Sequence, residues 1–495
     1  MLAPESATTA PGKKSWEALR RAQREWAAHS VPERLRVIVR LRALLVRHAS
    51  RLAAASARVR CVDPAEVITS EVLPLAEGCR FLESQAAGLL APRQLGAMDR
   101  PLWLSGVRTT IRREPCGVIL ILAPSNYPLF LAGSQMIQAL AAGNAVLAKP
   151  APGALEPLAI LRDLLIQSGL PTGLLELLPE DVPAVHQLIR DEADKVVLTG
   201  GMAAGRAVLQ TCADAIVPAT VELSGIDSVH VLDDADPVRA ADLLLYGLAL
   251  NRGRTCIAPR RIFVHQAVSG DLRAALQDRF RSRRAPITEL SPWVRKALNE
   301  ALAQGAKVLA GAWSDAEGLF RYPLILEHVP GPSQLRQDDH FGPIAVLQEV
   351  TSEQEALELD RACPFALGAT VFSRDERRAS AFAAQLSAGS VTVNDLIVPT
   401  ADPRVPFGGR KLSGFGVTRG AEGLLEMTTA QVISSRRANS WLPHLDAPAS
   451  GDEERFTHLL NLLHGNGLWS RLGSLRHLLT QGRRNNRSNE NSNHG

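Results

Sequence analysis

Four short segments carry residue types that could do chemistry. Asn126 sits between two prolines in PSNYP (124–128), so its side-chain amide is a fixed N–H donor. Thr199-Gly200-Gly201 opens the stretch TGGMAAG, which ends at Gly205. Paired glycines before a predicted helix let a phosphate approach free backbone N–H groups. Glu222 ends the apolar strand that includes VEL (221–223). Desolvation there would raise its pKa toward the range of a general base. Cys256 follows a glycine turn in GRTCI (253–257), a setting in which a thiolate can face a cleft. Singly, each segment also reads as an ordinary turn, glycine loop, ion-paired strand end or core thiol.

The elements that must position these residues follow from the pattern of apolar runs. GVILILAP from Gly117 is a short, β-branched, continuously apolar run, as expected of a buried parallel strand. Strand and helix then alternate: helix 130–142, strand 145–148, helix 156–168, strand 174–178, helix 182–191, strand 195–198, helix 203–211 and strand 219–223. This predicts a doubly wound α/β sheet with its ligands at the carboxyl ends of the strands. The style repeats between about 225 and 420, predicting a second α/β domain. Ahead of the first sheet, residues 15–58 predict two helices broken near Pro32, and 64–87 another one or two. Residues 103–113 alternate like an exposed hairpin arm. Residues 454–479 predict helices broken at Gly465-Asn466-Gly467, and 483–495 a disordered polar end.

Composition excludes several classes. The 495 residues are 46% hydrophobic and 21% charged, too balanced for a disordered or fibrous chain. The net charge of +4 is dispersed and gives no case for nucleic acid. No run of about 18 apolar residues occurs, and the first residues lack the apolar core of a signal peptide. Six cysteines form no close pair and no Cys/His cluster has zinc spacing. The expectation is a cytoplasmic protein with reduced thiols and no metal site.

The order of the four segments, with Glu222 and Cys256 in one doubly wound frame, resembles the aldehyde dehydrogenase superfamily. The resemblance covers about 15–434. It extends through ALAAGNAVLAKPAP (139–152), GLPTGLLELLP (169–179), NRGRTCIAPRRIFV (251–264), DDHFGPI (338–344), LGATVFSRD (367–375) and PFGGRKLSGFG (406–416). It implies two doubly wound α/β domains with a small β oligomerisation arm and a helical C-terminal extension. The expected boundaries are 1–14 disordered lead, 15–224 cofactor binding (arm about 97–115), 225–420 catalytic thiol, 421–434 oligomerisation strand and 435–495 extension. It implies oxidation of an aldehyde to the acid with NAD or NADP, in a homodimer or homotetramer. Cys256 is then the nucleophile, Glu222 the base that activates water, and Asn126 with the Cys256 backbone N–H the oxyanion donors. Lys149, Thr199, Gly200, Gly201, Gly205, Leu223, Asp339 and Phe341 are the expected cofactor contacts. Two alternatives are a relative that passes the acyl group to coenzyme A and a catalytically silent paralogue.

Four positions depart from the family pattern. Ser125 replaces an aromatic residue, Ile226 a lysine, Asp339 a glutamate and Pro152 the acidic residue common in NAD-preferring relatives. The extension lies outside the resemblance. Its Leu/Arg/His-rich helices fit packing on the body or a neighbouring subunit first, an interfacial membrane helix second and a partner-binding tail third.

Overall fold

The computed structural model describes residues 13–491, apart from 99, 181–182, 283–287, 315–318, 321–322, 332 and 438–450. The chain forms two compact units: Met1–Arg93 with Ile111–Val432, and Gln94–Thr110 with Ile433–Gly495. The larger unit contains both main sheets.

The first sheet holds β1 (Val118–Leu122), β2 (Ala145–Lys149), β3 (Leu175–Leu177), β4 (Lys195–Gly200) and β5 (Ala219–Leu223). All residues of β1 and β2 are buried, which explains their unbroken apolar runs. The strands lie parallel in the order β5-β4-β1-β2-β3, and Gly414–Phe415 pairs antiparallel with β5. The chain runs outward from β1 through β3 and returns to the far side of β1 at β4. That switch point leaves a crevice at the carboxyl ends of β1 and β4, the place where such sheets hold ligands. Asn126 and Gly201 follow those two ends.

The second sheet holds β6 (Asp227–Val231), β7 (Pro259–His265), β8 (Lys307–Ala310), β9 (Leu324–Glu327), β10 (Ile344–Val350), β11 (Gly368–Phe372) and β12 (Ser390–Val393). Its order is β8-β9-β10-β7-β6-β11-β12, all parallel except the β8–β9 pair. The α/β expectation holds for both sheets. Helix 130–142 and strand 219–223 are found with the expected bounds.

Elsewhere the elements differ from the sequence expectation. Residues 15–58 form three helices rather than two (Lys13–Ala28, Val31–Arg47 and Ala49–Arg60), because His48 leaves helical geometry at φ −106°, ψ 15°. Residues 64–89 run through a π-helical turn, Ile68–Val72, that turns Glu71 into the interior. A further three-stranded sheet has the order Arg93–Gln94, Arg108–Pro115, Thr428–Ser435.

In the smaller unit, helices Asp452–His464 and Leu468–Asn491 are joined by a short turn with Gly467 at φ +100°. The second helix is described to Asn491, and 492–495 lie outside the described residues. Apolar side chains of this hairpin, Phe456, Leu460, Trp469 and Leu479 among them, are exposed in the single chain. No described helix is long and apolar enough to cross a membrane.

Candidate active site

A cleft of about 640 Å³ opens along the carboxyl edge of the first sheet. Asn126, Lys149, Thr199, Gly200, Gly201, Glu222, Leu223, Cys256, Asp339 and Phe341 all line it. Ten of the eleven residues expected from the sequence are therefore brought together. Gly205 does not line the cleft. A Cβ there would stand 2.7 Å from a Leu223 methyl, so Gly205 lets its helix pack closely against β5.

The glycine turn fits an anion. Gly201 precedes helix Met202–Ala215, no side chain caps that helix, and the space around the Gly201 Cβ position is open. Asp339 is buried deeply enough to raise its pKa, although Ser224 and Arg260 pull it back down, and its Oδ1 has no partner. An acceptor of this kind fits a ribose hydroxyl. Lys149 is buried and donates to the Pro150 carbonyl at 3.0 Å. Ile226, where the family lysine is replaced, packs with Cys363 and Phe365.

Cys256 is presented by a strained turn. Asn251, Arg252 and Gly253 all have positive φ (50°, 57° and 75°). A Cβ at Gly253 would lie 2.4 Å from the Pro343 backbone nitrogen, so only glycine fits. Asn126 Nδ2 donates to the Arg254 carbonyl at 3.1 Å, and Asn251 Nδ2 donates to the Asn126 carbonyl at 2.8 Å. These bonds tie the loop after β1 to the turn before Cys256.

Glu222 is buried on β5. Burial pushes its pKa up to about 7, opposed by the charge of Arg419 and by interactions with the Cys256 thiol and the Thr199 hydroxyl. Its Oε2 has no hydrogen-bond partner. Burial also raises the Cys256 thiol well above its ordinary value, reinforced by the charges of Glu222 and Asp227 and opposed by Arg419. Gly414 makes room for the carboxylate's strand, because a Cβ there would lie 1.9 Å from the Val221 carbonyl oxygen.

A second pocket of about 230 Å³ also reaches Cys256. Its walls include Tyr127, Phe130, Leu131, Leu250, Val398 and Phe407. Cys256 is the one residue that lines both cavities. A family model described as the aldehyde dehydrogenase family matches residues 3–433.

The chain belongs to the aldehyde dehydrogenase family.

It is 30% identical over 466 residues to a 4,4'-diapolycopene aldehyde oxidase of Methylomonas sp, covering 90% of this chain and 86% of that protein. It is 30% identical over 445 residues to a putative NADP-dependent succinate-semialdehyde dehydrogenase of Mycolicibacterium smegmatis (86% and 84% covered). An NADP-dependent glyceraldehyde-3-phosphate dehydrogenase of Bacillus halodurans, solved with NADP, superposes with a TM-score of 0.79 at 26% identity (86% and 90% covered). Like its relatives, this aldehyde dehydrogenase is an oxidoreductase that uses NAD or NADP.

Two groups in this dehydrogenase's site carried no sequence signal. Arg60, fully buried, donates to Glu71 at 2.9 Å, Glu66 at 2.6 Å and Asn251 at 3.0 Å, with its guanidinium 4.5 Å from the centre of the Tyr127 ring. Glu71 Oε2 accepts from the backbone of Leu129 and Phe130 at 2.9 and 3.0 Å. One ion pair thus pins both loops that frame Cys256. The second is Arg419, buried in the apolar pocket, where its guanidinium stands 4.6 Å from the Phe407 ring centre and donates to the Thr400 carbonyl. Its charge acts on both Glu222 and Cys256. Neither residue falls in a motif, and an arginine in a sequence reads by default as surface.

Proposed function

We propose that this dehydrogenase oxidises an apolar aldehyde to the carboxylic acid through a thioester on Cys256, hydrolysed by water that Glu222 activates. The observation that carries the reading is the position of Cys256, which alone lines both the polar cleft and the apolar pocket. Cys256 gives its proton to Glu222, with which the thiol interacts, and attacks the aldehyde carbon as thiolate; Glu222 loses that proton to solvent before the hydrolytic step. Asn126 Nδ2 has a second hydrogen beyond the one given to Arg254, and with the Cys256 backbone N–H it meets the developing oxyanion. When bound in the cleft, NAD or NADP takes up the hydride. Glu222, ionising at about 7, then removes a proton from the water that attacks the thioester. A coenzyme A acceptor needs no such base, and a silent paralogue has no use for one.

The Lys149 side of the cleft holds the adenosine ribose and the turn at Thr199, Gly200 and Gly201 the pyrophosphate. Leu223, Asp339 and Phe341 hold the nicotinamide end. Pro152 lines the cleft where an acidic side chain would repel a 2′-phosphate, so NADP is accepted. The 230 Å³ pocket exceeds the ~150 Å³ cavity that takes benzene, so it suits an aromatic or medium-chain aldehyde. On the same reading 15–224 binds the cofactor and 225–420 carries the thiol. The exposed edge strand Thr428–Ser435 joins subunits of a cytoplasmic homodimer or homotetramer.

The test is reduced-nicotinamide formation with NAD or NADP against benzaldehyde, octanal and succinate semialdehyde, with and without coenzyme A. The aromatic and medium-chain aldehydes should turn over best and yield acid without coenzyme A. Cys256→Ala should be inactive and Glu222→Gln should stop after one acyl-enzyme equivalent. Acid formed by Cys256→Ala at the wild-type rate would sink the mechanism.

A further inference from the structure

The C-terminal hairpin holds a cluster unconnected with aldehyde chemistry. Glu454 and His458 are one turn apart on helix Asp452–His464, so they share a face. His477 meets that face from helix Leu468–Asn491. The ligand-capable atoms of the three residues all lie within 4.8 Å of one another, the one such group among the described residues. Glu454 Oε1 is 3.4 Å from His477 Nε2 and 4.0 Å from His458 Nε2, and the imidazole rings stack at 3.9 Å. Ligands at about 2.0–2.1 Å from one tetrahedral zinc ion stand about 3.4 Å apart. The Glu454–His477 separation already matches this spacing, and the stacked rings need only swing apart for both Nε2 atoms to face one ion.

Its surroundings fix one of the ligands. His458 Nδ1 is 3.3 Å from Ser474 Oγ, and Ser474 also accepts from Asn461 Nδ2 at 3.0 Å. That leaves Nε2 as the nitrogen turned to Glu454, in the manner by which outer groups orient a metal-bound imidazole. Ser474 is the only buried residue among the described side chains of the two helices. With no buried apolar side chain among the described ones, the two-helix hairpin gains little from the hydrophobic effect and is served by another fastening.

We propose that Glu454, His458 and His477 bind a divalent first-row transition cation, zinc foremost, with water in the remaining position, and that the ion clasps the two helices. Two imidazoles and a carboxylate suit Zn²⁺ rather than Ca²⁺ or Mg²⁺, which prefer all-oxygen sites. The third ligand comes from the second helix, which explains why no local zinc spacing marks the site in the sequence.

The test uses tag-free, chelator-treated full-length protein carrying Cys256→Ala, so that the active-site thiol does not compete. Titration with Zn²⁺ should show one equivalent that is lost in His458→Ala and in His477→Ala. It should be retained but weakened about 10–100-fold in Ser474→Ala. Co²⁺ should give d–d bands without a thiolate charge-transfer band. Zn²⁺ should also slow proteolysis within 452–480 in the parent and not in Glu454→Gln, a variant that preserves side-chain shape. Equal zinc binding in parent and His variants, a thiolate band with cobalt, or no binding at micromolar Zn²⁺ would each overturn the site.

Discussion

Thr199 stands directly opposite Glu222 in the parallel pairing of β4 with β5, and its hydroxyl interacts with that carboxylate. Gln135 Nε2 donates to the same hydroxyl at 3.0 Å, which leaves the Thr199 hydrogen free to turn toward Glu222. Glu222 is thus held by strand register, while burial sets its proton affinity.

That affinity predicts the pH dependence of deacylation. Glu222 works as a base only when ionised, so the hydrolytic rate should rise through about pH 7 and level off above it. Single-turnover decay of the acyl-enzyme measures this directly. In Glu222→Gln the rising limb should vanish. A limb that persists in the variant would assign the base elsewhere.

The same burial has a cost in stability. The folded state holds the Glu222 proton more tightly than the unfolded state, whose carboxyl has its ordinary value of 4.5. Between 4.5 and about 7 the folded protein therefore binds more protons, and stability falls as pH rises through that window. Glu222→Gln removes the ionisation. It should gain on wild type by about 2–3 kcal/mol from pH 5 to pH 8, seen as a widening difference in unfolding midpoint. A difference that stays constant with pH would contradict this.

Arg419 lowers the pKa of both the thiol and the carboxylate. Arg419→Gln should move the pH midpoint for alkylation of Cys256 by iodoacetamide upward and slow the reaction at neutral pH. Glu222, Asp227, Arg260 and Tyr127 also act electrostatically with the thiol and are unchanged in this variant. Arg419→Lys keeps the charge and should recover most of the loss. An unaltered alkylation profile would reduce Arg419 to a packing residue.

Glu71→Ala should act on both stability and catalysis. Removing one partner of a buried ion pair leaves Arg60 with weaker compensation from Glu66, a loss of about 3–5 kcal/mol. It also frees the Leu129 and Phe130 amides, so kcat should fall even in molecules that remain folded. Thermal unfolding and kcat measured well below the midpoint separate the two effects.

Much of this was legible in the chain, for a physical reason. A parallel strand covered on both faces must be apolar throughout, so β1 and β2 stand out in the sequence. β6 reads DSVHV and carries no strand signal in the sequence. Its Asp227, Ser228 and His230 are all buried, yet polar residues in a short segment read as a turn. The site residues after strand ends were legible because strand–turn–helix boundaries are local. Arg60 reaches Asn251 across 191 positions, and no local pattern encodes such a contact.

The position of Cys256 between two cavities also bears on the order in which molecules arrive. On the proposed reading the dinucleotide would reach the sulfur from the polar cleft and the aldehyde from the apolar pocket, through separate doors, so neither would have to leave for the other to enter. Acid would then depart on the apolar side while spent coenzyme is exchanged on the polar side. An inhibitor with a greasy arm, a central electrophile and a ribose-like head would block both doors at once from a single covalent anchor.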